Sequence, residues 1–264
     1  MKFKDRIIWI TGAASGIGEA LAYQSVNYGA RLVLSDIDET RLKEVSSRCE
    51  NMKADVLYLP LDLSSRESIE NAVPRALSHY GRIDVLINNG GVSQRALTWE
   101  TPLEVDYRIM NINYFGAVIL TKAVLPSMME HGNASIAVTS SITGKFGFPL
   151  RSAYSASKHA VVGFFETLGI ELADKNISVT VALPGRVQTN ISVHALTGDG
   201  SPHGVMDPGQ SSGIPAEVCA RKYLDAIHKQ KREVLIGGKE LMMVRVRRFF
   251  PCLFFRLAGR IKPA

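Results

Sequence analysis

Seven short apolar runs rich in β-branched residues, Ile7–Thr11, Arg31–Ser35, Val56–Leu59, Val85–Asn88, Ser135–Thr139, Ser178–Leu183 and Val234–Ile236, alternate with amphipathic stretches of helical length. This alternation is the strongest constraint on the fold. Strands joined by helices pair in parallel, because a parallel pair needs a long crossover that a tight turn cannot supply. Runs apolar on both sides are strands covered on both faces. The expected fold is therefore α/β: a doubly wound, parallel, seven-stranded sheet with helices on both faces. Its length of 264 residues suits one large unit,. Residues 1–240 are read as that domain, with 190–213 as a lid within it and 241–264 as a basic amphipathic extension. Ligands of such sheets bind outside the carboxyl ends of the strands, so the residues after each strand carry the functional argument.

Charge narrows the partners. The net charge is +6, but residues 239–264 hold seven basic residues against the single acid Glu240, a difference equal to the whole excess. The body is neutral, so a nucleic-acid partner is not expected. Cys49, Cys219 and Cys252 are far apart and odd in number, which supports neither a disulfide framework nor a metal site,. Residues 1–6 run straight into the first strand without the apolar core of an export signal, so a cytoplasmic setting is expected,.

The first strand is followed by Thr11-Gly12-Ala13-Ala14-Ser15-Gly16-Ile17-Gly18 and then by a helical run. Glycines between a strand and a helix let the backbone approach a pyrophosphate, and the helix N-terminus supplies N–H donors and a favourable dipole. Alone, such a turn is only a tight strand-to-helix connection. Asp36 ends the second strand, where a carboxylate accepts hydrogen bonds from ribose hydroxyls and repels a 2′-phosphate. A helix N-cap role for Asp36, with Asp38 and Glu39 in the first turn, is compatible with this. Asp62-Leu63 and Asn88-Asn89-Gly90-Gly91 follow the third and fourth strands.

The sharpest set is Ser141, Tyr154 and Lys158. Ser141 follows the fifth strand, and Tyr154 and Lys158 are four apart in a helical run, which puts them on one face,. A free tyrosine titrates at about 10, too high for a base at neutral pH. A neighbouring ammonium favours the phenolate and makes the pair a usable general acid/base. Ser141 is suited to hold the substrate oxygen.

Together these elements resemble the short-chain dehydrogenase/reductase family from about Asp5 to Gly237: the glycine turn, Asn88–Gly91, the asparagine of Asn111-Ile112-Asn113, the Ser141/Tyr154/Lys158 set and Pro184-Gly185. The resemblance implies a Rossmann-type oxidoreductase acting on an alcohol or carbonyl substrate. It implies that Gly12, Ser15, Gly16, Ile17, Gly18, Asp36, Asp62, Leu63, Asn88, Gly90, Tyr154, Lys158, Pro184, Gly185, Val187 and Thr189 bind the coenzyme. It also implies a proton relay from Asn113 to Lys158. Gly90 stands where the family usually has alanine. Asp36 favours NAD, with NADP as the alternative. Gly144–Pro149 and the C-terminal extension are similar to the hydroxysteroid-dehydrogenase-like and acyl-dihydroxyacetone-phosphate-reductase-like branch, which implies an apolar substrate. A non-catalytic nucleotide sensor is the reading from another class, against which the complete proton-transfer set speaks.

Three further expectations concern the periphery. Ser192–Gly213, rich in Gly and Pro, reads as an irregular lid,. Leu241–Ala258 mixes Phe and Leu with Arg. It is too charged and too broken by Pro251 to span a bilayer, and suits either an anionic membrane surface or packing on its own domain or a neighbouring subunit,. The catalytic helix carries an inward stripe, Tyr154, Lys158, Val161, Phe165, Leu168 and Leu172, and a second face at Ala153, Ala156, Ala160 and Phe164. That pattern points to a homodimer or homotetramer,.

Overall fold

In the computed structural model, which describes residues 2–260, every apolar run forms a strand. The chain runs β1 (Ile7–Thr11), α1 (Gly16–Asn27), β2 (Arg31–Ser35), α2 (Glu39–Asn51), β3 (Val56–Tyr58), α3 (Arg66–Tyr80) and β4 (Val85–Asn88). Next come α4 (Leu103–Met110), a π-helical turn (Asn111–Phe115), α5 (Gly116–His131), β5 (Ala134–Thr139), α6 (Ser152–Glu171) and β6 (Ile177–Pro184). The short α7 (Pro208–Ser211), α8 (Ala216–His228), β7 (Glu233–Ile236), α9 (Met242–Phe249) and α10 (Pro251–Ala258) complete it.

All seven strands lie parallel in the order β3-β2-β1-β4-β5-β6-β7. The order reverses between β1 and β4, and at such a switch point the connections leave in opposite directions and open a crevice. One face buries Ile69 of α3, Leu120 of α5 and Phe165 of α6; the other buries Leu21 of α1, Leu42 of α2 and Tyr223 of α8. The continuous run from Leu103 to His131 is long and apolar enough to cross a membrane. Here Ala117, Leu120, Val124 and Met128 of that run pack against the sheet.

The two peripheral segments are both tied to the domain. Ser192–Gly213 is irregular apart from the four-residue α7, and single bridges tie it down, Leu196 to Gln94 and to Pro202, while Val187 bridges to Ile214 beside it. The C-terminal extension packs on its own domain, where Phe254 and Ala258 are buried against Phe146. The last four residues of that extension lie outside the described residues.

Candidate active site

The glycine turn has a conformation that its sequence alone permits. Gly12 and Gly16 have φ of +65° and +56°, the left-handed region that a side chain disfavours,. A Cβ on Gly12 would lie 2.6 Å from the Gly90 Cα, and one on Gly16 would lie 2.9 Å from Thr189 Cγ2. Ser15 precedes α1 in an extended conformation, and its side chain does not cap the helix. The turn is a cradle of backbone at a helix N-terminus, and a dinucleotide's pyrophosphate fits it.

Asp36 braces this cradle. One carboxylate oxygen accepts the Ala14 N–H at 3.0 Å and the other accepts the Asp38 N–H at 3.1 Å. The N-cap of α2 is Asp38, whose side chain accepts the Arg41 N–H, so the capping role expected for Asp36 falls two residues later. Arg41 itself lines the cleft beside Asp36.

The cleft has a volume of about 990 Å³, at the upper end of ordinary ligand sites,. Gly12, Ser15, Gly16, Ile17, Asp36, Asp62, Leu63, Gly90, Ser141, Tyr154, Lys158, Pro184, Gly185, Val187 and Thr189 all line it. Three expected residues do not. Asn88 turns its amide into the core, donating to Thr121 at 2.9 Å. It caps the end of a fully buried strand, and Asn89 takes the place by the turn, donating to the Thr11 carbonyl at 3.1 Å. Gly18 is buried against the Gly12 carbonyl and supports the turn from behind. Asn113 lies beneath the floor of the cleft. The departure at Gly90 is compensated: a methyl there would meet Leu63 Cδ1 at 2.5 Å, so Leu63 fills the space an alanine would take.

At the other end, α6 presents Tyr154 and Lys158 from its first turns, both buried, with 8% and 4% of their surface exposed. Lys158 Nζ lies 5.7 Å from the Tyr154 ring centroid and donates to the Thr139 carbonyl at 2.8 Å. Burial lowers its pKa to about 8. Burial raises that of the Tyr154 phenol. The neighbouring Ser141 hydroxyl, which donates to the Pro184 carbonyl at 3.4 Å, and the charges of Arg151 and Arg95 act against that rise. Arg151 and Arg95 therefore join the cations expected to act on this phenol, and Lys158 keeps donors free beyond the one given to Thr139.

Asn113 is placed by the π-helical turn, a local widening that is frequent at functional sites,. Its Oδ1 accepts the Val92 N–H at 2.8 Å, and its Nδ2 donates to the Val92 carbonyl at 2.9 Å and to Ser157 Oγ at 3.0 Å. Gly91 separates it from Lys158: a Cβ there would lie 2.8 Å from Asn113 Oδ1 and 3.5 Å from Lys158 Nζ.

Sequence reasoning missed several residues. Gln94 Oε1 accepts the Ala153 N–H at 2.9 Å and the Tyr154 N–H at 3.4 Å, capping α6 from a distant loop. Asp207, in the expected lid, binds Arg95 through Nε at 3.0 Å and Arg151 through Nη2 at 2.9 Å. Burial beside Arg95 lowers the Arg151 pKa to about 10. The one available signal was position: Gln94 and Arg95 follow β4 closely and Arg151 lies three residues before Tyr154. Phe146, Phe148 and Leu150 give this end of the cleft apolar walls.

This parallel sheet, with a glycine cradle at one end of its crevice and a Ser/Tyr/Lys set at the other, is that of a short-chain dehydrogenase/reductase. The sequence profile of the short chain dehydrogenase family matches residues 6–198, and the chain belongs to that family and is an oxidoreductase. It is 42% identical to dehydrogenase/reductase SDR family member 7B of Xenopus laevis over 95% of this chain and 80% of the relative. It is 39% identical to the SDR family protein 7-like of Drosophila melanogaster over 97% of this chain and 80% of the relative. Among solved structures, a short chain dehydrogenase/reductase from Burkholderia phymatum in complex with NAD superposes with a TM-score of 0.86 at 25% identity, covering 100% of this chain and 99% of that one. Levodione reductase superposes at 0.79 with 26% identity, covering 90% and 98%.

Proposed function

We propose that this enzyme is an NAD(H)-linked dehydrogenase/reductase of an apolar secondary alcohol or ketone, with Tyr154 as general acid/base. The observation that carries the reading is the placement of Tyr154, Ser141 and Lys158 together at the apolar end of a cleft whose other end is the glycine cradle and Asp36. A nicotinamide coenzyme bound there supplies the hydride donor or acceptor. Gly12, Ser15, Gly16 and Ile17 hold its pyrophosphate, Asp36 its adenosine ribose, Asp62 and Leu63 its adenine side, and Pro184, Gly185, Val187 and Thr189 its nicotinamide end. Lys158 binds the nicotinamide ribose.

Tyr154 gives its phenolic proton to the substrate oxygen in reduction and takes it back in oxidation. Ser141 holds that oxygen and stabilises the charge developing on it. Asn113 keeps the carbonyl of Val92 and the α6 backbone in register beneath Lys158. Loop 190–213 acts as the lid, and Asp207 is its latch on Arg95 and Arg151. The groove between α5 and α6, lined by Tyr114, Leu125, Gly163 and Phe164, is the face through which a second copy of the chain packs,.

The experiment is a titration with NADH followed by its fluorescence, then turnover on a panel of apolar ketones. Tyr154→Phe is expected to bind NADH as the unchanged enzyme does and to lose about 10²–10⁴-fold in turnover. Near-normal turnover in that variant overturns the assignment. A second reading, NADPH, is favoured by Arg41 at the Asp36 end of the cleft. An enzyme that prefers NADPH, and loses that preference in Arg41→Ala, would establish it.

A further inference from the structure

The hairpin of α9 and α10 has two unlike faces. Inward, Phe254 stacks on Phe146 with ring centroids 5.1 Å apart, Ala258 is buried beside it, and Met243 reaches the cleft. Outward, Met242, Arg245 and Phe249 follow one another at helical spacing along α9 with Arg248 beside them, and all four are exposed,. The turn and α10 continue this surface with Phe250, Leu253, Phe255 and Leu257, and Arg256 stands among them. Phe249, Phe250 and Phe255 each expose more than 60% of their surface.

Single exposed apolar side chains are ordinary, but a continuous group of three phenylalanines and two leucines marks a surface that meets something. The charge pattern says what. Arg245, Arg247, Arg248, Arg256 and Arg260 form no ion pair among the described residues, and the segment's one acid, Glu240, turns inward to accept the Gly238 and Arg186 N–H groups. Arg247 and Arg248 lie over phenylalanine rings, at 5.2 Å from Phe255 and 5.8 Å from Phe249. Such an arrangement keeps a cation next to apolar surface with its head free to reach an anion. Aromatic and aliphatic side chains that enter an acyl boundary, with unpaired arginines at headgroup height, suit a helix lying in an interface plane.

We propose that the outer face of the α9–α10 hairpin docks on an anionic lipid bilayer, with Phe249, Phe250, Leu253, Phe255 and Leu257 in the acyl boundary and Arg245, Arg248 and Arg256 against lipid phosphates. Because Met243 and Phe146 tie the same hairpin to the cleft wall, a docked molecule holds the apolar end of its cleft beside the lipid. The docking stands apart from the catalytic reading and is tested without turnover.

The test is sedimentation of the full chain with phosphatidylcholine vesicles, with and without phosphatidylserine. The expected result is binding that needs phosphatidylserine and falls as salt shortens the screening length from about 10 Å at 0.1 M to about 3 Å at 1 M. Each arginine near an anionic surface is worth roughly a fivefold gain in partitioning, so Arg245→Gln with Arg248→Gln lowers it by about 30-fold. Phe249→Ser with Phe255→Ser lowers it on every vesicle that binds. These side chains are exposed, so both variants keep the circular dichroism and melting temperature of the parent. Protein that stays in the supernatant with phosphatidylserine vesicles at low salt overturns the proposal. So does a sedimentation-equilibrium dimer that these substitutions dissociate, which would make the face an interface between two copies of the chain.

Discussion

Lys158 is a buried ammonium whose structural partner is a carbonyl, that of Thr139, and not a carboxylate. Burial lowers its pKa from 10.5 to about 8, so the folded protein is less stable by about 3 kcal/mol for holding the charge,. Lys158→Met removes the charge while keeping the length and flexibility of the chain. Against that gain stands the loss of a hydrogen bond and a Thr139 carbonyl left without that donor, about 1–2 kcal/mol. The net expectation at about pH 7 is stabilisation of about 1–2 kcal/mol, or about 2–8 °C in Tm for a chain of this size.

The sign of the pH dependence follows from the direction of the shift. Between about 8 and 10.5 the unfolded lysine holds a proton that the folded one has lost, so stability of the unmodified protein rises with pH across that window,. The advantage of the methionine variant is therefore full below pH 8 and shrinks above it. Scanning calorimetry without coenzyme, at several pH values, measures this directly. A variant less stable than its parent at neutral pH, or a difference that does not change from pH 7 to 10, would refute the reasoning.

Two further predictions follow from the same site. Gly16→Ala puts a methyl at positive φ and 2.9 Å from Thr189 Cγ2. It should cost about 1–2 kcal/mol in calorimetry and weaken NADH binding in a fluorescence titration, and Thr189→Ser in the same chain should restore part of both. Asp207→Ala takes the counter-charge from Arg95 and Arg151, so limited proteolysis should cut loop 190–213 faster than in the parent,. With those cations uncompensated beside Tyr154, the pH profile of alcohol oxidation should move to lower pH.

The strands were legible because each is a short apolar run that burial on both faces demands. Their ends shifted by a residue or two, as at β6, where pairing with β5 and β7 carries the ladder to Ile177 and Pro184. Tyr154, Lys158 and Ser141 were legible because helical spacing and strand-end position are local properties. What was not legible depends on partners distant in sequence: Asp207 meets Arg95 across 112 positions, and Gln94 caps α6 from 59 positions away. The fate of Asn88 could not be read either. A polar residue at a strand end faces the cleft or the core according to the pleat, and here Thr121 of α5 offered its side chain a partner.

The π-helical turn accommodates one residue more than a regular helix would in this part of the chain,. Ile109, Asn113 and Ala117 recur at steps of four, which drift by about 40° each in a regular α-helix of 3.6 residues per turn,. The wider turn takes up that drift, so that Ile109 packs beside Ala153, Asn113 reaches Val92, and Leu120, Val124 and Met128 still face the sheet. Removing one residue from Asn111–Phe115 would close the wide turn into a regular α-helix: about 100° of rotation is lost with the residue, the tighter winding gives most of it back, and α5 keeps nearly the same face to the sheet,. A deletion there would be felt at Asn113 and its bonds to Val92, more than in the packing of α5.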